Sequence, residues 1–136
     1  MKYNNSTSTN NSHNSVVLYA RLSVTSFDGE NESVDRQIAL GRKFAEYQEL
    51  TVEGIFSEIS SGRNDNSQEF EKAVKLAKKT KSVLWVYSLS RLSRKVIKTL
   101  QTVEELEKAG AALYSHSEKL SSDSNGKMLL TIMAAF

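Results

Sequence analysis

The sequence predicts an α/β fold, with a mainly parallel sheet of four to five strands and helices on both faces. Three observations carry this. Short runs of strand-forming residues alternate with stretches of helical period from Val16 onward. No hairpin signal separates consecutive strands, so the connections read as right-handed βαβ crossovers. One run, Ser82 to Tyr87 (SVLWVY), is apolar almost throughout, as in a central strand buried on both faces.

Residues 1–15 (MKYNNSTSTNNSHNS) are nearly all Asn, Ser and Thr. Such a segment buries too little apolar surface to offset its ordering entropy, and is expected to be a flexible tail. The folded domain then spans 16–136. Val16 to Ala20 forms the first strand. Val34, Ile38, Gly41, Phe44 and Ala45 recur at helical spacing after Ser33, a suitable N-cap. Leu50 to Phe56 alternates as a second strand, and Phe70, Ala73, Val74 and Ala77 mark a second helix. After the Ser82–Tyr87 strand, Val96, Leu100, Val103 and Leu106 mark a third helix, with Gly110 as its C-cap. Ala111 to Tyr114 is a fourth strand. Gly126 to Phe136 (GKMLLTIMAAF) opens a fourth helix that is apolar on nearly every face and carries no stop signal. That pattern predicts a helix continuing into a longer protein, or one covered by a partner.

The chain of 136 residues is 39% hydrophobic and 25% charged, the balance of one ordinary globular domain. No apolar run reaches the roughly 18–20 residues that span a bilayer, so no membrane partner is expected. With no cysteine and only two histidines, thiolate chemistry and histidine metal sites are excluded, and no metal or cofactor is expected. The absence of cysteine and of a signal peptide fits a cytoplasmic protein. A net charge of +2 neither requires nor forbids a nucleic-acid partner.

In parallel sheets of this kind, ligands bind beyond the carboxyl ends of the strands. The segments placed there are Arg21-Leu22-Ser23, Ser57 to Arg63, Ser88 to Lys95, and His116 to Lys119. Arg91, Arg94, Lys95 and Lys98 fall together with no acid among them, at the start of a helix where cations oppose the macrodipole. Helix N-terminal amides and two guanidiniums suit a phosphate or another oxyanion; a solvated basic face is the competing explanation. Arg21 and Ser23, two apart in an extended segment, share a face. Ser23 as a simple turn residue is again the competing explanation. Without a nearby histidine or a G-x-S-x-G elbow, the pair does not suit a serine hydrolase, but it suits attack on a phosphodiester. P-loop and dinucleotide fingerprints are missing, and His116 fits a surface or loop histidine better than a base.

These residues resemble the serine site-specific recombinases: the resolvases, invertases and phage integrases. Tyr19-Ala20-Arg21-Leu22-Ser23 resembles the family's Y-x-R-V-S signature. Ser33 to Gln37 resembles its S-l-x-x-Q segment, Phe56 to Gly62 its F-x-D-x-x-S-G segment, and Ser90 to Arg94 its D-R-L-S-R segment. Gly126 to Ile132 resembles the start of the long dimerisation helix. No one of these motifs is specific alone; five in the same order and spacing are.

The resemblance implies that Ser23 attacks a phosphodiester of a double-stranded DNA recombination site to give a 5′-phosphoserine link. Strand exchange and religation would follow in a synaptic homotetramer built from homodimers, without cofactor. It casts Arg21, Arg91 and Arg94 as stabilisers of the scissile phosphate. Tyr19, Gln37, Glu58, Ser61, Arg63 and Ser90 become positioning residues for phosphate or DNA. The host context would be bacterial, phage or plasmid-borne. Three positions depart from the family pattern: Ser90 and Glu58 stand where aspartates are usual, and Ser67 where an arginine is. A phosphate- or DNA-binding module of this fold that has lost cleavage, and an unrelated flavodoxin-like phosphohydrolase, stay open at this point.

Overall fold

The computed structural model describes residues 13–23, 33–60, 68–89 and 96–122. Most of the polar tail and the predicted fourth helix lie outside them. The described chain runs β1 (Ser15–Ser23), α1 (Val34–Gln48), β2 (Thr51–Ser60), α2 (Gln68–Thr80), β3 (Val83–Val86), α3 (Val96–Lys108), β4 (Ala112–Ser115) and β5 (Leu120–Ser121). The strands form one sheet in the order β2-β1-β3-β4-β5. The first three pairings are parallel, and β4–β5 is antiparallel. The fold is the mainly parallel α/β sheet that the alternation of strand and helix patterns predicts.

Strand alternation divides the core. Val17, Tyr19, Leu84, Val86 and Leu113 face α2 and α3, where Phe70, Ala73, Ala77, Val103 and Leu106 complete one buried cluster. Val16, Leu18, Val83 and Trp85 point the other way, into a cluster with Ala45 of α1 and, around it, Ile38 and Phe44. A central strand covered on both faces has no solvent side, which is why β1 and β3 are continuous apolar runs.

The helices end alike. Glu49, Lys81 and Gly110 adopt left-handed φ values of 61°, 53° and 86°. The next residue in each case, Leu50, Ser82 or Ala111, donates its N–H to the carbonyl of Ala45, Ala77 or Leu106. Each cap satisfies helix-end carbonyls and turns the chain straight into the following strand. Only Gly110 announces such a cap in the sequence.

α1 lies close on the sheet through Gly41. A Cβ there would sit 2.9 Å from Leu18 Cδ2 and 3.1 Å from Trp85 Cε3. Gly41→Val is therefore expected to destabilise the domain by about 1–3 kcal/mol through overpacking, read as a lower urea midpoint at unchanged m-value.

Three differences from the sequence pattern matter. β1 continues to Ser23 and β2 to Ser60, so Arg21–Ser23 and Ser57–Ser60 belong to strands and not to loops. β4 starts one residue late, because the Ala111 N–H is bound to the end of α3. Lastly, β5 folds back on β4 as a two-residue antiparallel strand. Its turn uses Lys119 at φ 53°, so no Gly or Asn marks the reversal.

Candidate functional site

The chain steps from β1 outward to β2 and then back across β1 to β3. The carboxyl ends of β1 and β3 therefore flank the point where the strand order reverses, the usual ligand crevice of such sheets. Tyr19, Arg21 and Ser23 stand along the end of β1. The 90–95 segment, with Arg91 and Arg94, runs between the end of β3 and the start of α3 at Val96. The group singled out on β1 thus stands beside that switch point.

The β1–β3 ladder ends at the pair Tyr19↔Val86, whereas the β1–β2 ladder continues to Ser23↔Ser60. Beyond Tyr19, the β1 backbone on the β3 side needs another partner. Gln37, fully buried in the first turn of α1, supplies it. Its Oε1 accepts from the Arg21 N–H at 3.1 Å, and its Nε2 donates to the Arg21 carbonyl at 2.8 Å. One side-chain amide imitates a neighbouring strand and fixes the backbone that carries the Arg21 guanidinium. Gln37→Leu removes both of these bonds to the Arg21 backbone. At about 1–3 kcal/mol for each lost bond to these part-buried groups, it is expected to lower stability by about 2–6 kcal/mol in urea unfolding.

On the opposite side of β1, Arg21 pairs in register with Glu58 of β2. The Tyr19 hydroxyl donates to Glu58 Oε2 at 2.5 Å. Burial, reinforced by that hydrogen bond and by the Glu58 charge, pushes the Tyr19 phenol well above its ordinary value, while the Arg21 guanidinium pulls the other way. Tyr19 accordingly stays protonated and acts as a donor that orients Glu58. It is not a nucleophile at neutral pH. Glu58, placed where the family pattern has aspartate, reaches Tyr19 from β2.

Ser23 is the last residue of β1, so this position belongs to a strand end rather than to a loop. Ser61, Arg63, Ser90, Arg91 and Arg94 lie outside the described residues. Their flanks are informative even so. α1 carries Asp35 in its first turn and α2 carries Glu69 and Glu71, as the helix dipole favours. α3 carries no acid in its first turn and follows a run of cations. That leaves the positive end of α3 uncompensated by acids of its own first turn. His116 sits in the β4–β5 turn, stacked on Tyr87 with ring centroids 5.7 Å apart. Burial and then the Lys119 charge push its pKa below the ordinary histidine value. Among the described residues, no group of three His, Asp or Glu side chains could hold a metal ion. None of the helices there is long and apolar enough to cross a membrane.

A doubly wound α/β domain with Arg21 and Ser23 on the strand end beside its switch point defines a class of ligand-binding sheet domains. Comparison with known proteins narrows it. Residues 16–136 match the family described as Resolvase, N terminal domain, and the chain belongs to that family of serine recombinases. It is 31% identical over 123 residues to the transposon Tn552 resolvase of Staphylococcus aureus. The match covers 88% of this chain and 56% of that protein, so the chain spans little more than half of its relative. Its structure is similar to the N-terminal catalytic domain of TP901-1 integrase, with TM-score 0.71 and 28% identity over 89% of this chain and 92% of that one. A resolvase family site-specific recombinase from Streptococcus pneumoniae shares the fold at TM-score 0.66 and 21% identity, over 88% and 85% of the two chains. The family resemblance drawn from the five motifs holds, and the unrelated phosphohydrolase is set aside.

Proposed function

We propose that this domain cleaves and rejoins DNA by transesterification, with Ser23 as nucleophile. The Ser23 oxygen forms a bond to the scissile phosphorus, the bond from phosphorus to the 3′ oxygen breaks, and the serine proton ends on the released 3′-hydroxyl. The phosphodiester is exchanged for a 5′-phosphoserine of similar energy, so religation is the same step reversed. The observation that carries this is the placement of Arg21 and Ser23 on the end of β1, beside the point where the strand order reverses.

Each described residue has a part in this reading. Gln37 holds the Arg21 backbone, and Tyr19 orients Glu58 beside it. Arg21, Arg91 and Arg94 neutralise the charge that builds on the phosphate oxygens during attack. Ser61, Arg63 and Ser90 serve in this reading as positioning groups for phosphate or DNA, as the family motifs imply. The partners are a double-stranded recombination site and further copies of the protein, paired as dimers and synapsed as a tetramer, in the cytoplasm of a bacterial or phage-bearing cell. A module that binds DNA without cutting it is the alternative, and covalent capture separates the two. The full-length protein is incubated with a random-sequence duplex library in the presence of a metal chelator, quenched with denaturant, and its attached fragments are sequenced. Protein on 5′ ends with free 3′-hydroxyls is expected. Absence of any adduct, or attachment at 3′ ends, would overturn the proposal.

A further inference from the structure

Glu118, in the turn between β4 and β5, makes contacts that the proposed chemistry does not use directly. Beyond Val86, β3 has lost its neighbour on the β1 side, because that ladder stops at Tyr19↔Val86. The exit of β3 is held from the β4 side instead. The His116 N–H donates to the Val86 carbonyl at 2.9 Å, and the Ser117 N–H to the Tyr87 carbonyl at 2.8 Å. The third contact in this series comes from a side chain: Glu118 Oε1 accepts from the Leu89 N–H at 3.3 Å. The same oxygen accepts from the hydroxyl of Ser115, a fully buried residue of β4. Leu89 is itself buried, and the next residues in the chain are Ser90 and Arg91.

We propose that Glu118 is a positioning residue for the arginine segment. It clamps the Leu89 backbone to the β4–β5 turn and so fixes where the chain carrying Arg91 and Arg94 leaves the sheet. This rests on the proposed role of those arginines at the scissile phosphate. The physical case is one of leverage. A strand end that has left one of its two ladders frays, and a guanidinium two residues past an unfixed amide sweeps a volume far larger than a phosphate site tolerates. A carboxylate is well suited to the clamp, since one oxygen can accept from two donors at once. Ser115, anchored in the sheet, holds that carboxylate in place.

Two measurements test it. The first is amide hydrogen exchange on the chain itself, which needs no DNA. Glu118→Ala is expected to speed exchange at Leu89 about tenfold or more, the scale of one lost hydrogen bond, with α1 and β1 protection unchanged. Glu118→Gln keeps an oxygen that accepts from both donors and should restore protection. The second is adduct formation by the full-length protein at saturating DNA. The alanine variant should form it about tenfold more slowly with DNA affinity unchanged, and the glutamine variant at close to the normal rate. Unchanged Leu89 exchange in Glu118→Ala overturns the proposal. So does a glutamine variant that protects Leu89 yet cleaves as slowly as the alanine variant, because the charge would then be acting on its own account. If Glu118→Ala does not fold, Ser115→Ala is the milder variant, and failure to raise Leu89 exchange there overturns the clamp. A wild-type protein that forms no adduct counts against the proposed function instead, while Leu89 exchange still decides the clamp.

Discussion

Ser23→Ala is expected to abolish the covalent protein–DNA adduct, lowering cleavage by on the order of 10⁴-fold or more, the scale on which removal of a catalytic nucleophile acts. The fold should be untouched. Ser23 is the final residue of β1, held through its backbone by the register with Ser60, and alanine accepts the same extended conformation. The variant should therefore keep the wild-type urea midpoint and still bind DNA. Adduct isolated from wild-type protein, digested and sequenced, should carry its phosphodiester on Ser23. A variant that still cuts, or an adduct mapped to another residue, would remove Ser23 from the chemistry and leave the arginines as a binding site only. The departures at Glu58 and Ser90 give this experiment a second use. The contact from Tyr19 shows that a glutamate at position 58 still reaches the β1 end, so loss of cleavage through that change is not expected.

What was legible in the sequence follows from what is local. β1 and β3 declare themselves because a strand buried on both faces must be apolar at every position, and Val16–Ala20 and Val83–Val86 are. The helices declare themselves by period. What stayed hidden depends on contacts between distant segments. The extension of β1 through Arg21-Leu22-Ser23 carries no continuous apolar run, because its polar residues are held by Gln37 and by the β2 ladder rather than by burial alone. Gln37 did leave a trace. It lies three residues after Val34 and four before Gly41, on the face of α1 that also buries Ala45 and Gln48. A polar residue at an apolar position of an amphipathic helix marks a buried partner, here the backbone of Arg21. Glu118 left no such trace. Its place in the chain says only that it is in a turn, and its significance appears when the register of β3 and β4 brings that turn against Leu89. β5 was invisible for a related reason, since a lysine in the left-handed conformation makes its turn.

Arg91→Ala and Arg94→Ala are each expected to slow cleavage by on the order of 10²-fold or more, the loss of one charge contact made to the transition state. Stability should move by less than about 1 kcal/mol. The reasoning starts from the helix that follows them. α1 and α2 place acids in their first turns, and α3 does not; it is preceded by Arg91, Arg94 and Lys95. Cations before a helix N-terminus weaken that helix, so their removal costs the fold nothing and could slightly steady it. Cations that do not serve stability, on the connection from β3 to α3, are candidates to bind an anion that supplies the missing negative charge. A scissile phosphate carries one negative charge at rest and builds more on its oxygens as the serine attacks, so the arginines would act more strongly on the transition state than on bound DNA. The rate constant for adduct formation at saturating DNA should therefore fall much further than affinity does. Lysine at either position should restore charge but not the paired donors of a guanidinium, giving an intermediate rate. If both arginines serve one phosphate, as proposed, the double variant should be less impaired than the product of the two single effects. If either alanine variant unfolds, or if affinity falls as far as rate, the pair supports the structure or binds the backbone uniformly, and the assignment of Arg91 and Arg94 to the reacting phosphate fails.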